Sequence, residues 1–345
     1  MYNIRCFAAF ERAFKRMVII LFRPFDLAKW FFLGFCAWLA TFISSQSTGM
    51  GFESPRFNAP SPKATGHTSS EFSDFIKDLF LGGGSFSGKI SNYFDVPQYV
   101  IWWIIFGTLT AILVGIVVYL VFAWISCRFK FVFVENLAKN QFKISELWFK
   151  YKKLGNSAFK WFLGFFAISF IFTILGFVVI ASIVYPVFLD YLRNDIFDIS
   201  VSSIAVLAVA ISIFFIGALI LSFAFYFFNQ FVIPIMYKKQ ISSKMAYKDL
   251  LHLLGATPFT FIKFWLLQIA ANIICGIAVV LFVVCTCCIA IIPMVIPYLG
   301  TVVILPVVVF QRLQAMELLA AFGAEYSPYP VPPPRKQPQD NELAE

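Results

Sequence analysis

"PFDLAKWF" at Pro24–Phe31 and "PFTFIKFW" at Pro258–Trp265 share one order: Pro-Phe, three residues, Lys, then two aromatics. What surrounds each octapeptide is also alike. Before Pro24, Phe7, Phe10, Phe14, Met17 and Leu21 recur at helical spacing, while Glu11, Arg12, Lys15 and Arg16 take other sides of the wheel. Before Pro258, Tyr247, Leu250, Leu251 and Leu254 do the same, with Lys244, Lys248 and Asp249 off that face. Each pattern predicts an amphipathic helix, too short and too charged to span a bilayer and suited to its interface. Proline then stops one helix and is tolerated at the start of the next. Lys and the aromatics after it suit headgroup depth, which makes Lys29, Trp30, Lys263 and Trp265 expected interface anchors.

A weaker third copy lies in "ISELWFKYKKLGNSAFKWFLGFF". Ile144, Leu147, Trp148, Tyr151 and Leu154 share one face, Gly155 is the expected helix end, and Lys160 and Trp161 are the anchors, without the proline. The spacing therefore predicts one unit three times over: interfacial helix, bend, anchor and transmembrane hairpin. The expected repeats run over about 5–126, 127–235 and 236–320 within a single membrane domain, 1–324.

Composition agrees with a lipid solvent. The chain is 60% hydrophobic and 13% charged, against about 25% charged in soluble proteins. Its mean hydropathy is +0.83. Apolar runs at 27–45, 99–126, 160–187, 201–229, 260–285 and 295–316 are read as six spans, since about 20 residues cross a hydrocarbon core. The first 23 residues are read as part of the retained chain, too long and amphipathic for the basic region of a cleaved leader. The fold class is thus an all-α integral membrane helical bundle of six transmembrane helices.

Lys and Arg set the orientation. With both termini cytoplasmic, 22 of the 27 bases fall inside and five outside: Arg56, Lys63, Lys77, Lys89 and Arg193. The net charge of +9 then lies on the cytoplasmic face, where the anionic leaflet is its expected partner, and nothing presents a groove for nucleic acid. An outer loop at 46–97 holds a short amphipathic pattern, Phe72 to Phe80, capped by Ser69 or Ser70 and ended by Gly82. Residues 325–345 are proline-rich and read as a disordered cytoplasmic tail.

Chemistry-bearing residues are sparse. Cys285, Cys287 and Cys288 invite a metal reading, but successive helical residues diverge by about 100°, and His67 and His252 fall on opposite sides of the membrane in this topology. Packing between helices is the cheaper explanation, so no metal and no cofactor is expected. A disulfide from the cluster to Cys36 or Cys275 stays open. No ionisable side chain is read at mid-depth; Gln268 and Asn272, one turn apart on the fifth span, form the possible intramembrane polar site, with Asn229 and Gln230 near the inner end of the fourth. Pro293, Pro297, Gly300 and Pro306 predict a tight outer turn and a kinked sixth span. No catalytic motif appears, and no enzyme activity is expected.

Four stretches carry a resemblance: "LFRPFDLAKWFFLGFCAWLA", "CRFKFVFVENLAKNQFKISELWFKYKKLGNSAFKWFL", "NQFVIPIMYKK" and "CTCCIAIIPMVIPYLGTVVILPVVVFQRLQAMELLAAFGAEY". They resemble a family of uncharacterised bacterial polytopic membrane proteins. More distantly, the plan is similar to the membrane domain attached to some glycerophosphodiester phosphodiesterases, whose catalytic domain is missing from this chain. The resemblance implies a multi-span inner-membrane protein and brings no site residues. Two roles follow as expectations: a non-enzymatic protein that organises or assists lipid or protein partners at the cytoplasmic leaflet, or a transporter or permease component for a neutral or lipid-like substrate.

Overall fold

The computed structural model describes residues 6–42, 97–194, 201–286, 294 and 296–330. Among them every regular element is a helix. In chain order they are α1 (Cys6–Phe22), α2 (Leu27–Thr41), α3 (Gln98–Lys139), α4 (Ser145–Lys150), α5 (Lys152–Asn194) and α6 (Val201–Phe227). A π-helical turn, Phe228–Val232, joins α6 to α7 (Ile233–Lys239). Then come α8 (Ser243–Ala256), α9 (Pro258–Cys285), α10 (Pro297–Val303) and α11 (Leu305–Ala321). Four stretches are long and apolar enough to cross a membrane: Gln98–Lys139, Lys152–Asp190, Ser202–Lys239 and Pro258–Cys285.

The local chemistry of both octapeptides is visible. Asp26 caps α2, its carboxylate accepting from the Ala28 amide at 2.9 Å. Pro258 opens α9, where its missing N–H costs nothing. The other two expected spans differ from the long four. α2 has 15 residues, about 22 Å of helix against a hydrocarbon core of about 30 Å. The last one is two helices broken at Ile304, two residues before Pro306, because proline suits a first helical turn and disfavours a helix running through it.

Two corrections concern the third copy and the tail. Gly155 does not end a helix: α4 stops at Lys150, the break is Tyr151, and α5 runs through Gly155 to Asn194. Glycine is there for close approach, since a Cβ would lie 2.5 Å from Arg128 Cγ and 3.2 Å from its Cα. Residues 325–330, read as the start of a disordered tail, are docked. Glu325 reaches Lys239 at 2.6 Å, and buried Tyr329 lies 3.6 Å beneath the Arg16 guanidinium. The expected helix near Phe72–Phe80, the Cys287–Cys288 pair, Pro293 and residues 331–345 lie outside the described residues.

The chain divides into two compact units. The first gathers 1–52, 124–165 and 223–345. Its core joins the ends of the sequence: α1 buries Ala9, Phe10, Ala13, Met17 and Ile20 and packs on α11. Glu317, almost wholly buried, takes Arg12 at 3.1 Å and Arg16 at 2.9 Å. α2 packs on α10, where Gly34 admits Val302, whose Cγ2 would stand 2.5 Å from a Cβ. A second carboxylate, buried Glu135 on α3, accepts from Lys139 at 2.7 Å, from Lys150 at 2.9 Å and from the Tyr151 hydroxyl. Burial and that hydrogen bond push the Tyr151 hydroxyl above its ordinary range, so it remains a donor.

The second unit comprises 53–123 and 166–222. Its described helices expose apolar side chains on nearly every side, Leu113, Val117, Ile171, Val178, Ile213 and Ile220 among them. That surface suits lipid, and helices suit it because they satisfy their own backbone groups. Within the unit, Phe172 stacks on Phe214 at 5.0 Å, and Gly176 and Gly217 make room for the two rings.

The glycines of α5 give a test. Gly155→Ala should destabilise by about 1–3 kcal/mol, because Arg128 backbone cannot retreat. Gly164→Ala, with nothing within 4 Å of the added carbon, should be neutral or stabilise by up to about 1 kcal/mol. Thermal unfolding of the purified protein in detergent reads both.

Candidate functional site

The first unit holds a polar interior, and it starts at the π-helical turn. One extra residue in the turn re-aims the side chains of Asn229 and Gln230 relative to a regular helix. Asn229 is buried; its Nδ2 donates to the Phe225 carbonyl at 2.9 Å. Its Oδ1 accepts from Lys130 Nζ, and its main-chain oxygen accepts from Arg312 Nη1. Gln230 Nε2 donates to the Gln311 carbonyl at 3.0 Å, and Gln311 Nε2 donates to Asn272 Oδ1 at 3.0 Å. Thus α3, the π-turn, α11 and α9 are tied by one run of polar contacts.

Of the expected polar pair, Asn272 is committed to this interhelical contact. Gln268 lies one turn earlier on α9, 5% exposed, and its Oε1 has no partner among the described residues. On α11, Gln314 is fully buried, and neither amide atom has a partner among the described residues. Asn229 and Gln230 are the centre of the network rather than accessories.

Two participants were invisible in the sequence. Lys130 counts there as a loop charge and Arg312 as a C-terminal one. Instead α3 continues to Lys139 and buries Lys130 to 5% exposure. The available signal is the run "FVFV" at 131–134 next to Lys130: four apolar residues in register argue for continued burial of that segment.

The anchors divide. Lys160 and Lys263 are exposed. Lys29 is buried, its ammonium 4.5 Å from the Phe142 ring. Trp30 donates through Nε1 to the Leu21 carbonyl at 2.9 Å and packs against Phe22 and Phe25, so it closes the α1–α2 bend. Trp161 stacks on Phe228 at 3.8 Å, nearly parallel, which braces the π-turn. Trp265 is partly exposed and meets Phe223 edge-on at 5.7 Å. The third copy's apolar face turns inward: Leu147 and Tyr151 are buried, and Trp148 packs on Trp124 and Phe129. Arg128 lies over the Trp124 and Trp148 rings and donates to Asn156 at 3.1 Å.

Of the cysteines in the described residues, Cys36 and Cys127 are buried thiols, Cys275 is partly buried and Cys285 is exposed at the end of α9, while the buried Cys6 donates through Sγ to the Thr260 carbonyl at 3.6 Å. Among the described residues no group of three or more His, Cys, Asp and Glu could hold a metal.

Among the described residues these features are those of a helical protein of membrane type, with four helices long and apolar enough to span and a polar interior in one unit. Residues 4–326 match DUF7544, a family of unknown function, and the chain belongs to that family. No curated protein and no solved structure matches it.

The two glutamine–asparagine positions on α9 should respond oppositely. Asn272→Leu breaks the bond to Gln311 and should cost about 1 kcal/mol, since interhelical hydrogen bonds in membranes average near that value. Gln268→Leu removes an unpartnered buried carbonyl and should be neutral or stabilising. Chemical or thermal unfolding in one detergent compares them directly.

Proposed function

We propose that this chain is a non-enzymatic, multi-pass protein of the bacterial inner membrane that organises lipid at the cytoplasmic leaflet through its first unit. One observation carries the reading. α1 is committed to the protein on one side, yet Phe7, Phe14 and Phe22 stand exposed along another edge, at 72%, 54% and 44%. Lys15 flanks that edge and is itself exposed. Aromatics pointing outward beside a cation suit a headgroup boundary, where the rings enter the acyl region and the ammonium meets anionic lipid. Each base near such a surface contributes about 1 kcal/mol.

The finer architecture belongs to the same proposal: six spans in three repeats, both termini cytoplasmic, with 22 of 27 bases on the inner side. α1 and α8 serve in it as interface helices, while α4 is a protein-packed relic of the third copy. The resemblance to membrane domains attached to some glycerophosphodiester phosphodiesterases agrees with a lipid-facing role. A second reading, transport of a neutral or lipid-like substrate, draws on Gln268 and Gln314, buried amides with unpartnered atoms.

Photoactivatable lipids in nanodiscs holding the full chain test the first reading. Cross-links should map to Phe7, Phe14 and Phe22 and avoid Ala9 and Ala13, and anionic lipid should be enriched among them. A peptide map without adducts anywhere in 6–22 would sink the leaflet role. Orientation has its own check. A reporter active only in the periplasm should work when fused within 50–90 or after Asp190. It should stay silent after Lys153 or Lys239; activity after Lys153 would refute the six-span topology.

A further inference from the structure

The first unit buries more positive than negative charge: Lys29 and Arg128 lie against aromatic rings, while Lys130 comes together with the partly buried Arg312. Its two buried carboxylates are already matched: Glu135 holds Lys139 and Lys150, and Glu317 holds Arg12 and Arg16. Lys130 and Arg312 have neither. Among the described residues, Lys130 Nζ meets only the neutral Oδ1 of Asn229, and Arg312 Nη1 only the main-chain oxygen of the same residue. The Nε of Arg312 is buried without a partner. Both cations donate to the same residue, which brings two like charges to one place.

Such an arrangement is expensive unless something completes it. A buried ammonium or guanidinium is ordinarily paired with an anion, and Asn229 supplies only dipoles. An ammonium has two further donors and the guanidinium has a free fork edge. Together they match a tetrahedral oxyanion, because Arg takes two of its oxygens side by side and Lys a third as a point charge.

We propose that Lys130 and Arg312, converging on Asn229 of the π-turn, form a binding site for a phosphate-bearing anion. The source of the phosphate is either a lipid headgroup or free phosphate. A lipid source deepens the leaflet role above and rests on it; the site itself does not. Asn229 positions both cations from one residue, which gives the π-turn a purpose: a regular helix would not present that side chain and that carbonyl to α3 and α11 as they stand.

The full-length protein purified in a neutral detergent separates these possibilities, since no bilayer is involved and failure of the leaflet role leaves the assay intact. Thermal midpoints are measured against inorganic phosphate and against short-chain phosphatidylglycerol, with sodium chloride at matched ionic strength as control. We expect a saturable rise with phosphatidylglycerol, phosphate or both, and none with chloride. A rise with the lipid alone assigns the headgroup; a rise with inorganic phosphate assigns the free ion as sufficient.

Two variants make the result specific. Lys130→Met should raise the midpoint of the ligand-free protein, because it removes an unmatched buried charge, and should abolish the ligand response. Asn229→Asp places a carboxylate between the two cations and should also abolish the response. The exposed control Lys153→Gln, outside both the α1 edge and the π-turn, should keep it. No rise with either ligand, a rise of equal size with chloride, or a rise that survives both Lys130→Met and Asn229→Asp would overturn the site. A variant that does not fold is replaced by the other, which makes the same prediction for the response.

Discussion

Charge taken out of water has to find a partner within the protein, and in the first unit that constraint decides which segments meet. Glu317 draws in Arg12 and Arg16, so the N-terminal helix is fixed on the C-terminal one across some 300 residues of sequence. Both arginines are about half exposed, so much of their charge is still solvated, and the pairing supplies register more than stability. The buried Tyr329 ring under Arg16 extends the same cluster to the end of the described chain. Burial, and then the neighbouring Glu317, push its hydroxyl above the ordinary range, which keeps the ring neutral beneath the cation. Glu135 acts likewise on a shorter scale, holding the end of α3 against α4 and the start of α5. Apolar packing then follows these alignments, as in the Phe10–Phe264 and Phe231–Phe264 contacts.

Much of the helix layout could be read from the sequence, because its signals are local. Pro24 and Pro258 mark the two entry points: α9 begins at Pro258 itself, while α2 begins three residues past Pro24, at Leu27, behind an Asp26 cap. Pro306 marks a break, and the break is one residue pair away, at Ile304. Gly155 misled because glycine has two uses. It can end a helix through its backbone freedom, or it can lie within one so that another chain segment comes near. Only the position of Arg128, 27 residues earlier and on another helix, distinguishes them. No window of local sequence contains that information.

The polar interior was harder to read for a related reason. Counting bases on either side of a membrane treats each one as solvated. Lys15 and Lys130 score alike, yet one is exposed and the other is sealed within the unit. Asn272 and Gln268 were recognisable as a pair by their spacing on one helix. Their different fates depend on Gln311, which satisfies one and not the other. Trp30 and Trp161 were recognisable as aromatics at an entry point, but the same rings also close the α1–α2 bend and brace the π-turn. An aromatic suits a headgroup boundary and a packed joint for the same physical reason, a flat apolar body with little rotamer entropy to lose.

The two units solve different problems with the same element. In the second, lipid-suited side chains cover the helices, and a glycine beside each stacked phenylalanine is enough to bring α5 and α6 together. In the first, amides and charges each require a named counterpart, and a change at one end of a contact strands the other. Specific recognition can be built only where partners are specified in this way. Among the described residues, the partners that could tell one anion from another meet in the first unit, at the turn where Lys130 and Arg312 share Asn229.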